Sequence, residues 1–156
     1  MKLIAIPTTV ALVSMVLLSA CATTTTTMSA DNAIAARQKL MKEQGAAMKS
    51  ISDKLKAGQV EAIVPDAEKL AETSKQIPAL FPEGSLNAQV SRAKPEIWQK
   101  WSQFEGNAKT LEAKATQLAA TARTGNAQAA GAAAGDIGRN TCNGCHDAFR
   151  GPEIKK

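Results

Sequence analysis

Three observations predict an all-α protein. Alanine is abundant, β-branched residues are too sparse to build a sheet, and tyrosine is absent. Four stretches repeat their apolar residues at spacings of three and four, the period of a helix with one buried face. Gly58, Gly125 and Gly151-Pro152 stand where three of those patterns stop. The chain has 156 residues, which suits one domain with one core.

Residues 1–20 precede the first helix. Lys2 leads into an apolar run from Val10 to Leu18, which reads as an export signal and is too short for a membrane span. Leu18-Ser19-Ala20-Cys21 looks like a bacterial lipobox. In that reading Cys21 is lipidated and becomes the first residue of the mature chain. Two or three acyl chains anchor a protein firmly, whereas one binds marginally. The alternative is an ordinary cleavable signal that happens to end in cysteine. Both place the domain outside the cytoplasm. Ala22 rather than Asp follows the cysteine, which by resemblance to enterobacterial sorting favours the outer membrane. Residues 21–30 then form the lipid attachment and a tether, built on the run Thr23 to Thr27. Residues 31–156 form the folded domain.

The first helix is predicted from Ser29 or Asp31, either of which can cap it, to Lys56 before Gly58. Ile34, Arg37, Met41, Met48, Ile51 and Leu55 share one face, and Gly45 lies near it. Arg37 is a fixed charge in an apolar stripe. It either snorkels at a core edge or offers its guanidinium fork to a buried anion. The second helix spans Gln59 to Ile77, with Pro65 marking a kink or a fresh start. Pro78 to Lys94 has no helical period, and Pro78, Pro82 and Gly84 mark a long loop joining two helix pairs. The third helix opens at Lys94-Pro95 and runs to Thr124, before Gly125. Trp98, Trp101, Glu105, Ala108, Leu111, Ala115, Leu118 and Ala122 mark one side of it. Trp98 and Trp101 are the only tryptophans. On a continuous helix they lie side by side, as the wall of a flat ligand or as plain core. The fourth helix runs from Ala127 to Arg150. Gly131, Gly135 and Gly138 form a groove of missing side chains, suited to close packing on a neighbour.

That last helix carries Cys142-Asn143-Gly144-Cys145-His146. The spacing reads as a c-type haem attachment site. Each thiol adds across one vinyl group, and His146 supplies an axial nitrogen to iron. A structural zinc needs four ligands, and this cluster gives three in a chain with no other histidine. A thioredoxin-like pair would sit beside strands, and no strand pattern surrounds it. The predicted cofactor is one covalently attached haem c.

Net charge is +5. Loss of residues 1–20 removes only Lys2, leaving about +4, a mild excess that serves solubility or favours acidic redox partners. No basic run or aromatic–basic interleaving supports nucleic-acid binding. One histidine and no recognisable acid–base pair argue against an enzyme.

Four amphipathic helices ending in the haem motif resemble the cytochrome c′ and cytochrome c-556 family, the class II c-type cytochromes, here in a lipoprotein form. The resemblance rests on Ala36-Arg37-Gln38-Lys39-Leu40-Met41-Lys42, on Lys94-Pro95-Glu96-Ile97-Trp98, and on Cys142 to Arg150. Phe149 stands where the family often has tyrosine. The resemblance implies an antiparallel up-down-up-down four-helix bundle, of which cytochrome c′ is a standard example. It implies haem on Cys142 and Cys145, His146 as proximal ligand, Arg150 on the proximal side, Arg37 beside a propionate, and Trp98 in the pocket. It places Met41 on the distal side of iron. Two functions stay open there. If Met41 binds iron, as in the cytochrome c-556 type, the protein is a periplasmic electron carrier. If Met41 only covers iron, the protein is a five-coordinate binder of NO or CO. Homodimers are common in such proteins, and the resemblance leaves that state open.

Overall fold

The computed structural model describes residues 28–154. The predicted signal, Cys21 and most of the tether lie outside the described residues. Within them the regular structure is helical, with one isolated bridge between Ala93 and Arg150. No helix among the described residues is long and apolar enough to cross a membrane.

α1 (Ala30–Lys56) starts where Ser29 accepts a hydrogen bond from the Asn32 amide. A single 3-10 turn, Glu61–Ile63, precedes α2 (Val64–Gln76). Pro65 therefore opens a new helix rather than kinking one, because its missing N–H costs nothing in a first turn. After a 3-10 turn at Pro78–Leu80 and a long loop come α3 (Glu96–Gln99) and α4 (Trp101–Arg123). The C-terminal arm is α5 (Ala127–Asp136), a π-helical stretch Ile137–Cys142, and α6 (Asn143–Phe149). Short connections at 57–60 and 124–126 turn the chain back, so α1 and α2, and α4 and the C-terminal arm, run antiparallel.

The core runs along the bundle axis. Ile51, Ile63, Leu70, Leu118 and Ile137 are fully buried, and Ala67, Ala115 and Ala122 let the helices close on one another. α2 packs most extensively on α4. Gly125 has φ +70°, a left-handed conformation that closes α4, and an added Cβ would lie 3.4 Å from Glu61 Oε1. Gly125→Ala is expected to cost about 1 to 2 kcal/mol in urea denaturation, because a side chain is strained in that conformation.

The third helix is not continuous. The backbone breaks at Lys100, with φ −122° and ψ 44°. The break lets the Trp98 indole N–H donate to the carbonyls of Phe81 (3.0 Å) and Pro82 (3.2 Å). The Phe81 carbonyl gains a donor there, whereas that of Pro82 already accepts from the Ser85 amide and Oγ. It also turns Phe104 inward at 3% exposure, whereas Glu105 stays at the surface paired with Lys109. The two tryptophans thus form no common wall.

The fourth helix is continuous in path but not in pitch. Wide i→i+5 turns over Ile137–Cys142 bring Ile137 and Thr141 into the core together. The glycine groove meets a neighbouring helix only at Gly138, where an added Cβ would lie 3.9 Å from Met48 Cε of α1. Gly131 has nothing within 4 Å of an added Cβ, and Gly135 is covered by Arg139 of its own arm at 3.0 Å. Gly45 is also open, on the exposed side of α1.

Candidate functional site

A cavity of about 550 Å³ opens between α1, the loop before α3, α4 and the C-terminal arm. That is within the range of cofactor sites, roughly 300 to 1,000 Å³. Much of its wall is apolar, formed by residues such as Ile77, Phe81, Ile97, Phe104, Leu111 and Phe149. Three of these are phenylalanines in edge-to-face contact. Phe104 lies 4.8 Å from Phe81 and 5.4 Å from Phe149, centroid to centroid.

Cys142, Cys145 and His146 all line this one cavity. The wide turn before Cys142 sets their register. Both cysteines are free and half-buried. Burial raises the pKa of both thiols. The neighbouring Cys145 adds to the effect at Cys142, and a hydrogen bond with Asn107 opposes it at Cys145. The thiols therefore stay protonated near neutral pH. His146 is shifted the other way. Burial lowers its pKa first, and the charges of Arg150 and Arg92 lower it further, against Asp147. The imidazole is thus held neutral, the form with a lone pair to give a metal. Among the described residues no three His, Cys, Asp or Glu side chains cluster as a metal site would, so the zinc alternative finds no assembled ligand set.

Met41 and Arg37 reach the cavity from α1, one turn apart, and Arg150 reaches it from the end of α6. Met41 is half-buried against the core cluster. Arg37 does not snorkel. It is 3% exposed, with Nη1 donating to Ser85 Oγ (2.9 Å) and Nη2 to Ser85 O and Ser91 Oγ (both 2.8 Å). Its guanidinium carbon lies 4.7 Å from the centroid of the Phe81 ring. Burial lowers its pKa from the usual arginine value. Trp98 does not line the cavity, because its indole is spent on the loop carbonyls.

Sequence reasoning missed Gln44, Asn107 and Thr141 on the cavity wall. Each had a signal. Gln44 falls on the buried period of α1, seven residues after Arg37. Asn107 sits beside Phe104, Ala108 and Leu111 on the inner face of α4. Thr141 directly precedes the motif. Its Oγ1 is buried with no partner in the chain. Such a hydroxyl wants an occupant with a polar atom. A wide cavity with aromatic walls, two thiols three residues apart, a neutral imidazole and an orphaned hydroxyl together fit a covalently held haem.

Comparison with known proteins gives the same picture. The family model described as Cytochrome C' matches residues 32–150. A cytochrome c' of Pararhodospirillum photometricum is 33% identical over 117 residues, covering 73% of this chain and 92% of the relative. The crystal structure of cytochrome c' from Thermochromatium tepidum is 30% identical with a TM-score of 0.70, covering 81% of this chain and 99% of that one. A nitric oxide complex of a mutant cytochrome c prime from Alcaligenes xylosoxidans is 25% identical with a TM-score of 0.70, covering 80% of this chain and 98% of that one.

Proposed function

We propose a function on one premise: this chain belongs to the cytochrome c′ family. Members of that family carry one covalently attached haem c. The function proposed is electron transfer by a monohaem cytochrome, anchored to a bacterial membrane through Cys21 and exposed to the periplasm, with the outer membrane favoured. The observation that carries it is the convergence of Cys142, Cys145, His146 and Met41 on one cavity.

Cys142 and Cys145 would hold the haem, and His146 would give its neutral nitrogen to iron. Met41, which lines the same cavity from α1, would give iron a thioether sulfur. A haem iron with nitrogen and thioether ligands is suited to one-electron exchange, and the thioether raises its potential. Arg92 and Arg150 bring positive charge near His146, which suits an acidic redox partner. The reading is of a carrier, not of an enzyme.

The second reading is a five-coordinate binder of NO or CO, in which Met41 covers iron without bonding to it. The nitric oxide complex formed by a mutant of the Alcaligenes xylosoxidans relative favours it. A methionine thioether is flexible enough for either role. The absorption spectrum of the reduced protein separates them. The carrier gives a low-spin spectrum that CO leaves unchanged. A high-spin spectrum that shifts with CO makes the protein a gas binder. Met41→Ala is expected to convert the CO-inert protein into one that binds CO stoichiometrically. A variant still low-spin and inert would take the sixth position away from Met41.

A further inference from the structure

Arg37 is a buried guanidinium that no carboxylate among the described residues pairs with. Its partners are two serines of the loop between α2 and α3. Ser85 is fully buried and Ser91 is 5% exposed, although both lie in a connection rather than in a helix. Ser85 Oγ also donates to Pro82 O (2.8 Å), and Ser91 Oγ also accepts from the Ala93 amide (3.2 Å). Each serine is thus fixed within the loop while accepting from Arg37. Next to Arg37, Gln38 Nε2 donates to Val90 O at 2.7 Å. One turn of α1 therefore grips the loop at three residues.

The other end of the same loop is sewn to the C-terminal arm. The Lys94 amide donates to Phe149 O (3.0 Å), and the Gly151 amide donates to Arg92 O (2.7 Å). Arg92 Nε donates to Gly151 O and Lys94 Nζ to Ala148 O, each at 2.9 Å. The loop is a strap, with the helix of Met41 at one end and the helix of His146 at the other. A guanidinium that spans two serines suits this role, because its donors lie in a rigid plane.

We infer that Arg37 is a positioning residue: through Ser85 and Ser91 it clamps the strap and so fixes how closely Met41 approaches the cavity wall that bears His146. The inference rests on haem occupying the cavity, as proposed above, but not on whether Met41 bonds to iron. In either case a diatomic ligand enters only when Met41 yields, and the clamp resists that movement.

The test is the rate of CO binding to the ferrous holoprotein, read together with amide hydrogen exchange at Lys94 and Gly151. The variants are Ser85→Ala with Ser91→Ala, which keep the charge of Arg37, and Arg37→Lys, which keeps the charge but not the fork. Both are expected to exchange those two amides faster than the parent and to yield to CO more readily: at least tenfold faster binding where the parent binds CO, and CO binding where an inert parent shows none. Should the double variant fail to fold, Ser91→Ala alone is expected to shift the same readouts in the same direction. CO rates within twofold of the parent, or variants as inert to CO as an inert parent, alongside a lowered Tm, would overturn the inference and leave the strap a structural brace. It is equally overturned if Arg37→Lys changes the rate while the serine variants do not, since Arg37 would then act directly on a group in the cavity. A parent protein that already binds CO defeats the six-coordinate reading, yet the tenfold comparison still decides the clamp.

Discussion

Replacing Cys142 and Cys145 together with serine is expected to give a chain that keeps its helices, holds no covalent haem and melts far below the parent. The cavity these residues line measures about 550 Å³, and its walls are shared by α1, α4 and the C-terminal arm. Without a fixed occupant, Phe104 and Phe149 border water or an ill-packed space, and the elements around them lose a common surface. Emptying a core site of a large buried group costs on the order of 4 kcal/mol, as truncating a buried aromatic side chain does. For a domain of this size that corresponds to roughly 15 °C in Tm. Helix content should survive, because the α2–α4 contact lies outside the cavity: Ile63, Leu70 and Leu118 are fully buried and none of them lines it. Far-UV circular dichroism should therefore stay close to the parent while near-UV signals collapse. Unchanged near-UV spectra and an unchanged Tm would mean that the fold closes without the cofactor.

Leu118→Ala separates stability from the site. Leu118 is fully buried on α4 and lies away from the cavity. Truncating such a leucine removes buried methyl groups and leaves a void that the helices close only in part. The expected loss is about 3 to 4 kcal/mol, near the middle of the range for leucine in well-packed cores. In urea denaturation it appears as a lower midpoint at unchanged slope. The absorption spectrum and CO behaviour should match the parent. A spectral change would show that packing at the α2–α4 contact reaches the haem pocket, against the division drawn here. A loss below 1 kcal/mol would mean that the core relaxes around the void.

The sequence carried the architecture because helix period and stop signals are local. Ser29, Gly58, Gly125 and Gly151 mark ends close to those observed, and on α4 Ala108, Leu111, Ala115, Leu118 and Ala122 are buried as their period predicts. It misled where a tertiary contact overrode the local pattern. Nothing in the spacing of Trp98 and Trp101 reports that the indole N–H of Trp98 donates to two loop carbonyls, and that contact accompanies the break at Lys100. The glycines of the C-terminal arm suggest a groove, but Arg139 lies over Gly135, Gly131 is open, and only Gly138 meets a neighbouring helix, at Met48 of α1. The wide turn before Cys142 has no signature that periodicity detects.

The cavity was legible in part. The covalent pair, the imidazole, Arg37, Met41 and Arg150 could be read as motif or resemblance. Gln44 and Asn107 were polar residues on buried periods, and that mismatch was the available signal. Ser85 and Ser91 gave none. They sit in a stretch without period, and only the fold shows that a buried arginine on α1 holds both.

The most direct test is the intact mass and absorption of the protein purified after export, with the peptide that contains residues 142–146 mapped. The account predicts a Soret band, a mass gain of one haem located on that peptide, and no free thiol at Cys142 or Cys145. An exported, folded protein with two alkylatable thiols there and no Soret band would contradict it.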